Sequence, residues 1–237
     1  MNELKILAVD TATEACSAAL LVGDTLFSRW EEAPRDHTRK ILPMVQAVLD
    51  DAGIALSELD AIAFGRGPGS FTGVRIGISV AQGLAFGVGV PLIGISTLAA
   101  MAQGARRLEG AERVLTAIDA RMGEVYFGQY ELKDGRMQLV GDEVVSDPVT
   151  LVADRTLVHG KLTGSWSRVG TGFETYGEAL ADLAAELAVS QVRFPAAVDM
   201  LPLARAAWLA GEAVPVEQAT PVYLRDKVTW KKLPGRE

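Results

Sequence analysis

The sequence predicts an α/β protein of two related lobes, and three observations lead to that prediction. An order of three strands, a helix, a strand and a helix fills the first part of the chain, and its opening recurs later. Each copy begins with an apolar run that ends in an aspartate, Asp10 or Asp119. The third observation is a hydrophobic content of 49% over 237 residues, enough for a sizeable core. Charge returns near residues 104–112, so we expect an N-terminal lobe of residues 1–108 and a smaller C-terminal lobe of residues 109–237.

Turn residues separate the elements of the first lobe. The predicted elements are strands at residues 6–9, 15–22, 26–30 and 61–64, and helices from about residue 36 to 52 and from residue 74 onward. The Gly23-Asp24 pair marks a hairpin, and Gly53 suits the position after a helix end. Pro43 is expected to kink the first helix or to mark its first turn.

The second lobe is expected to repeat this order in reduced form. The predicted elements are strands at residues 114–118, 123–130 and 137–145, and helices at residues 174–187 and 200–210. Asp134-Gly135 marks the turn before the third of these strands.

The most informative segment is rich in glycine and lies between the strand at residues 61–64 and the following helix. It contains Gly67, Gly69, Ser70 and Thr72. A strand, a glycine-rich turn and a helix N-terminus can together expose backbone N–H groups to an anion. The other interpretation is a tight turn with Ser70 or Thr72 as the helix cap, and none of the known phosphate-binding motifs is met.

Composition bounds the partners and the compartment. The net charge of −7 argues against a surface that binds nucleic acid, apart from a basic tail that starts at Arg225 and includes Lys227, Lys231, Lys232 and Arg236.

Cys16 has no second cysteine to pair with, and its strand pattern predicts a buried thiol. Glycines divide the uncharged stretch of residues 76–105 into a helix, a turn, a strand and a helix, so we expect no membrane span. The apolar run at the N-terminus is too short for a signal peptide, which favours the cytoplasm.

Long strings of the sequence resemble one family. GRGPGSFTGVRIGISVAQGLA at residues 65–85 resembles the signature of the TsaB (YeaZ) family, bacterial proteins needed to make threonylcarbamoyladenosine in tRNA. The other matching strings are ILAVDTATEACSAAL, DHTRKILPMVQAVL, IDARMGEVYFGQY, VGTGF and PVYLRDKVTWKKLPG. The resemblance implies two RNase-H-like lobes of the actin/Hsp70-like (ASKHA) superfamily, with a reduced second lobe. It also implies a non-catalytic partner of the related enzyme TsaD, joined by the ATPase TsaE at the TsaB–TsaD boundary, and a homodimer when TsaD is absent.

The resemblance places Asp10 and Asp119 where actin-like kinases have aspartates that position the metal ion and water around the ATP phosphates. The loops after them, DTATEA and DARMGEV, contain only one glycine between them, although phosphate loops need open backbone. The later Gly-Thr-Gly sequence resembles an eroded adenosine loop. We therefore predict a degenerate nucleotide cleft with no cofactor, formed by Asp10, Thr11, Asp119, Gly170 and Gly172, with both aspartates capping turns. An active actin-like ATPase or kinase is the alternative.

Metal and peptidase chemistry find little support. TsaD enzymes carry two histidines at i and i+4 on the helix after the third strand, and here His37 is followed by Ile41. We expect no metal site, and His37 is expected to cap or pack near the helix start. Peptidase chemistry at Ser70 would need a nearby base, and His159 is the only other histidine.

The first two helices carry more apolar stripes than one core-facing side requires. Gly83 and Gly87 are spaced to let another helix approach closely. The resemblance implies that these helices form a bundle with TsaD, and the alternative is that both stripes are buried within this chain. The residues expected at the partner interface are His37, Ile41, Leu42, Val45, Val74, Ile78, Ala81, Gln82, Ala85 and Phe86.

Overall fold

A computed structural model describes residues 3–154, 156–158, 162 and 165–225. The first sheet has five strands, β1 Lys5–Asp10, β2 Ala15–Val22, β3 Thr25–Glu32, β4 Ala61–Gly67 and β5 Leu92–Ser96. Their order is β3-β2-β1-β4-β5. The first three strands form the predicted antiparallel meander, and β4 and β5 run parallel to β1.

Three helices follow the strands of the first sheet, α1 His37–Ala52, α2 Phe71–Val88 and α3 Thr97–Glu109. The predicted limits of α1 are confirmed, and it ends where Gly53 adopts a left-handed conformation at φ 66°. Pro43 lies inside α1, in its second turn. Ser70 caps α2 through a hydrogen bond from the Gly73 N–H, so the helix begins three residues before the predicted start.

The two faces of the first sheet bury separate cores. Alternate residues of β1, such as Leu7 and Val9, pack with α1 and α2, while Ile6 and Ala8 pack on the opposite face. The helix that covers this opposite face is α7, Ala197–Leu209, which comes from late in the chain. The first sheet is therefore sandwiched between the α1–α2 pair and α7.

The second sheet repeats the topology of the first. Its strands are β6 Arg113–Arg121, β7 Glu124–Lys133, β8 Arg136–Leu139, β9 Val144–Ser146, β10 Ser167–Val169 and β11 Ala188–Val189. Along the path β8-β7-β6-β10-β11 there is again an antiparallel meander followed by two parallel strands, and β9 pairs with β7. The predicted fold class, two RNase-H-like lobes with a reduced second lobe, is confirmed.

Two predicted elements of the second lobe are wrong in extent. The strand expected at residues 137–145 is divided into β8 and β9, because Gly141 turns the chain between them at φ 75°. The helix expected at residues 174–187 is replaced by α5 Thr171–Thr175 and α6 Ala181–Ala184, with Gly177 between them. A short helix α4 Pro148–Ala153 completes the elements that the structure describes here.

The end of the described chain returns to the first sheet. The N–H of Ala197, the first residue of α7, donates to Ser17 Oγ in β2 at 2.9 Å. Leu92 exchanges backbone hydrogen bonds with Val214, and the Val222 N–H donates to the Arg66 carbonyl at 2.8 Å. A division of the chain at residue 108 would therefore separate α7 from the sheet on which it packs.

Candidate functional site

The glycine-rich turn is filled by the loop after β1. A Cβ added at Gly69 would lie 2.3 Å from the Ala12 carbonyl oxygen, and a Cβ added at Gly73 would lie 2.2 Å from the Thr11 carbonyl oxygen. The Ser70 N–H donates to the Ala12 carbonyl at 2.7 Å. The glycines thus allow two backbones to meet within one chain, which fits the interpretation of a tight turn with Ser70 as the cap. Gly67 is buried, with φ at 96°, whereas Thr72 is exposed.

Asp10, predicted for the nucleotide cleft, is buried instead of facing a cavity. Its Oδ1 accepts from the Ala12 N–H at 3.0 Å, the turn-capping role that the sequence favoured. Its Oδ2 is buried and has no hydrogen-bond partner in the described part of the chain. Burial raises the pKa of this carboxyl to about 7, although the Ala12 N–H opposes the rise. Thr11, beside it, is also buried and donates from Oγ1 to the Gly73 carbonyl at 2.7 Å.

Asp119 has its carboxylate occupied by neighbours. Oδ1 accepts from the Arg121 N–H at 2.8 Å and from the Tyr176 hydroxyl at 3.1 Å, and Oδ2 accepts from the Arg121 side chain at 3.0 Å. This confirms the second turn-capping aspartate.

The Gly-Thr-Gly sequence predicted as an adenosine loop packs directly on β6. A Cβ added at Gly170 would lie 2.4 Å from the Ala117 carbonyl oxygen, and a Cβ added at Gly172 would lie 2.8 Å from the Ala117 Cβ. Between these glycines, Thr171 Oγ1 accepts from the Asp119 N–H at 3.3 Å. The glycines therefore permit close helix–strand packing, and their backbone is covered on the side that faces β6.

Ion pairs join the two lobes beside these aspartates. Arg121 reaches from Asp119 to Glu14, with its Nη2 at 3.2 Å from Glu14 Oε1. Arg193 forms a bidentate pair with Glu174, and its Nη1 lies 3.8 Å from Glu32 Oε1. The Arg121 side chain, in the loop after Asp119, is thus held across the space between the lobes.

His37 packs at the start of α1, as predicted. It is buried, and its Nε2 lies 2.8 Å from the Thr13 carbonyl oxygen. The described residues contain no cluster of three or more histidine, cysteine, aspartate or glutamate side chains able to hold a metal ion. His159 lies outside the described residues. Cys16 is buried as predicted, and burial raises the pKa of its thiol to about 12.

The structure corrects the residues expected at the partner interface. His37 is buried, and six of the others belong to the hydrophobic interior of the first lobe: Ile41, Val45, Val74, Ile78, Ala81 and Ala85. Most of these side chains pack α1 and α2 against the sheet, so they do not form a surface for a partner. Gln82 is half-buried and donates to the carbonyls of Val216 and Ala219. Only Leu42 and Phe86 are well exposed, at 50% and 77%.

The exposed side of α1 and α2, which we call the helix-pair face, has another set of residues. It consists of Thr38, Leu42, Phe71, Thr72, Arg75, Ser79, Gly83, Phe86 and Gly87. Gly83 and Gly87 have nothing within 4 Å of an added Cβ, so another chain can approach closely there. A groove of about 370 Å³ runs over this face, lined by Thr38 of α1 and by six residues of α2, Phe71, Thr72, Arg75, Ile76, Ser79 and Val80. The glycine spacing gave a signal for this side, whereas the apolar stripes pointed to the buried side.

α2 is also long and apolar enough to cross a membrane by length and composition alone. Core helices of other proteins pass the same test, and a third of the residues in this one are buried in the chain. Packing within the chain accounts for the apolar residues on its buried side, such as Val74 and Ile78.

A second cavity, of about 340 Å³, lies between the lobes. Glu143 reaches into it and accepts hydrogen bonds from the Ser96 hydroxyl and from the Tyr130 hydroxyl, the latter at 2.5 Å. Burial, reinforced by the Glu143 carboxylate, raises the pKa of Tyr130. These polar groups bind one another and link α3 to the second sheet. The basic tail beyond Arg225 lies outside the described residues.

Comparison with known proteins identifies the family. Residues 30–232 match the family model described as TsaD, tRNA N6-adenosine threonylcarbamoyltransferase. A protein of Escherichia coli named tRNA threonylcarbamoyladenosine biosynthesis protein TsaB is 50% identical over 237 residues, covering 99% of this chain and 100% of the relative. The Haemophilus influenzae protein of the same name is 45% identical and is covered along its full length.

Solved structures agree with this result. The structure described as YeaZ from Pseudomonas aeruginosa superposes with a TM-score of 0.84 at 49% identity, covering 93% of this chain and 100% of that one. A second Pseudomonas aeruginosa structure, described as an uncharacterized protein with similarity to peptidase YeaZ, has a TM-score of 0.85 at 50% identity, with 94% and 100% covered. Near-complete coverage at this identity leaves one conclusion: the chain belongs to the TsaB family of tRNA threonylcarbamoyladenosine biosynthesis proteins.

Proposed function

We propose that this chain is a non-catalytic subunit that binds TsaD and holds it competent to modify tRNA. TsaD transfers threonylcarbamoyl from its adenylate to N6 of the adenosine next to the anticodon, and TsaE joins at the boundary of the two proteins. The relatives named for threonylcarbamoyladenosine biosynthesis support the pathway. In this proposal the chain works in the cytoplasm and meets tRNA only through the complex.

The observation that carries the proposal is the helix-pair face. It exposes Phe71 at 66% where α2 begins and Phe86 at 77% near the other end of the helix, and Phe86 lies beside two glycines that leave the α2 backbone open. Large exposed apolar side chains grouped on one face are typical of a protein interface. Because the TsaD family model matches this chain, the proposed partner shares its fold, and two related chains can pair through equivalent helices. Two copies of this chain pair through the same face when TsaD is absent.

A non-catalytic role is supported by what fills the predicted cleft. Backbone groups that would surround phosphates are instead in contact with Thr11, Ala12 and Ala117 of the same chain. The Asp10 carboxyl is buried, and this burial raises its pKa to about 7, so its charged form is less favourable than that of the exposed carboxylates that usually bind metal–nucleotide complexes. The residues predicted for a degenerate nucleotide cleft therefore serve to join the elements of this chain.

The test is a charge placed on the helix-pair face. Gly83→Glu adds a carboxylate where nothing lies within 4 Å, and replacement of a helical glycine favours the helix by up to about 1 kcal/mol. We expect a folded variant that neither co-purifies with TsaD nor self-associates. In a reconstituted reaction with TsaD, TsaE and tRNA, modification should fall to the level seen without this chain.

Leu209→Glu is the matched control. Leu209 is 76% exposed on α7, which covers the opposite face of the first sheet. This variant should bind TsaD and support modification as the unaltered chain does. Normal TsaD binding by a folded Gly83→Glu variant would refute the proposed interface.

A further inference from the structure

One end of the helix-pair face carries a pre-arranged cation. The Arg75 guanidinium carbon lies 3.2 Å from the centre of the Phe71 ring and 5.1 Å from that of Tyr223. The Arg75 side chain also donates to the Phe71 carbonyl at 3.3 Å. The two rings lie on adjacent sides of the guanidinium and restrict its position before any partner arrives, which reduces the entropy lost on binding.

Tyr223 is brought to this place by the end of the described chain. On one side of it, the Val222 N–H donates to the Arg66 carbonyl at 2.8 Å. On the other, Arg225 donates to Glu124 at 2.9 Å and to the Ala120 carbonyl at 3.1 Å. Both lobes therefore hold Tyr223 beside α2, at a distance of 6.0 Å between the Tyr223 and Phe71 ring centres.

No carboxylate of the described residues matches the charge of Arg75. It is the only charged residue of α2, and in the described part of the chain no carboxylate forms an ion pair with it. It lines the groove of about 370 Å³ together with Phe71, Ile76 and Val80. The groove thus offers apolar walls and one oriented guanidinium, a fork that matches a carboxylate.

We propose that the groove receives a helix of the TsaD partner that inserts an apolar side chain and presents an aspartate or glutamate to Arg75. This inference rests on the proposed function and adds the chemistry of the contact. Charge complementarity favours this occupant, because an apolar helix without a carboxylate would leave the guanidinium desolvated and unpaired. The segment at Tyr223 then belongs to the interface, although it lies far from α2 in sequence.

Affinity for TsaD tests the inference, measured for Arg75→Glu, Arg75→Lys and Arg75→Gln. Charge reversal should weaken binding about tenfold or more, whereas lysine should keep part of the affinity. Arg205→Glu is the matched control, since it makes the same charge change on α7 and should leave affinity unchanged. The difference between Arg75→Glu and the unaltered chain should shrink as salt rises from about 0.05 M to about 0.5 M. Exchange of one interfacial carboxylate of TsaD for lysine should restore binding to Arg75→Glu.

The outcomes separate this inference from the proposed function. If Gly83→Glu abolishes TsaD binding and a folded Arg75→Glu or Arg75→Gln does not weaken it, the carboxylate contact is refuted while the partner role stands. If neither Gly83→Glu nor the Arg75 variants lose TsaD binding, both the proposed interface and the carboxylate contact are refuted. A loss of tRNA retention or of self-association by Arg75→Glu, with unchanged TsaD affinity, would assign the cation to RNA or to a second copy and overturn the inference.

Discussion

Asp10→Asn should stabilise the protein, and the gain should depend on pH. The Asp10 carboxyl has a pKa of about 7 in the folded chain against an ordinary value of 3.8, mainly because of burial. An acid whose pKa is raised by folding favours the folded state below its unfolded pKa. That contribution is lost as the pH rises from about 4 to about 7, because only the unfolded chain ionises freely in this range.

The magnitude follows from the two pKa values. The rise from 3.8 to about 7, at about 1.4 kcal/mol for each pKa unit, corresponds to about 4 kcal/mol above pH 7. That is a large share of the roughly 5–15 kcal/mol that stabilises a typical domain. Asparagine keeps the acceptor for the Ala12 N–H and cannot ionise. The free energy of unfolding of the variant should therefore not fall through this site as the pH rises.

Denaturant unfolding of both proteins between pH 4 and pH 8 is the assay. The free energies of unfolding should be nearly equal at about pH 4, and Asp10→Asn should be more stable by about 4 kcal/mol at about pH 8. Asp24→Asn, at a side chain that is 91% exposed, should show no such trend. A difference between Asp10→Asn and the unaltered chain that stays constant with pH would refute the argument.

Three further predictions concern α2 and the predicted cleft. Ile78→Glu should unfold the chain, because Ile78 is 5% exposed and a buried unpaired carboxylate costs several kcal/mol, while Ser79→Glu should keep the native circular dichroism spectrum. Gly73→Ala should lower the free energy of unfolding by about 1–3 kcal/mol in denaturant titrations, since its Cβ would lie 2.2 Å from the Thr11 carbonyl oxygen, whereas Gly83→Ala should not lower it. The purified chain should not hydrolyse ATP at an enzyme-like rate, and steady turnover of about 1 per second that Asp10→Ala abolishes would contradict this.

Local signals in the sequence predicted most of the fold. The turn-capping Asp10 and Asp119, the cap at Ser70 and the helix end at Gly53 could all be predicted, because each depends on a few neighbouring residues. The repeat of the meander then predicted the second sheet. Helix α7 was predicted as a helix, but its return to the first sheet depends on contacts such as that with Ser17, which no local pattern encodes.

The orientation of α2 could not be predicted from its residues. Apolar side chains surround the helix, so Ile78 on one side and Ile76 or Phe86 on others are equally suited to a core by composition. The structure decides between them, because Gly73 and Gly77 must face the loop that contains Thr11. That contact turns Ile78 inward and leaves Ser79, Gly83 and Phe86 outward.

The same contact connects the predicted cleft with the proposed interface. Thr11 binds the Gly73 carbonyl through Oγ1 at 2.7 Å, and an added Cβ at Gly77 would lie 2.8 Å from that Oγ1. The loop that would hold phosphates in an actin-like kinase therefore fixes the rotation and height of α2. A binding face on a rigid helix gains affinity when the helix is held in place before the partner arrives. Under the proposed function, Asp10 and Thr11 need no nucleotide chemistry to keep these contacts, because the contacts present Gly83 and Phe86 to the proposed partner.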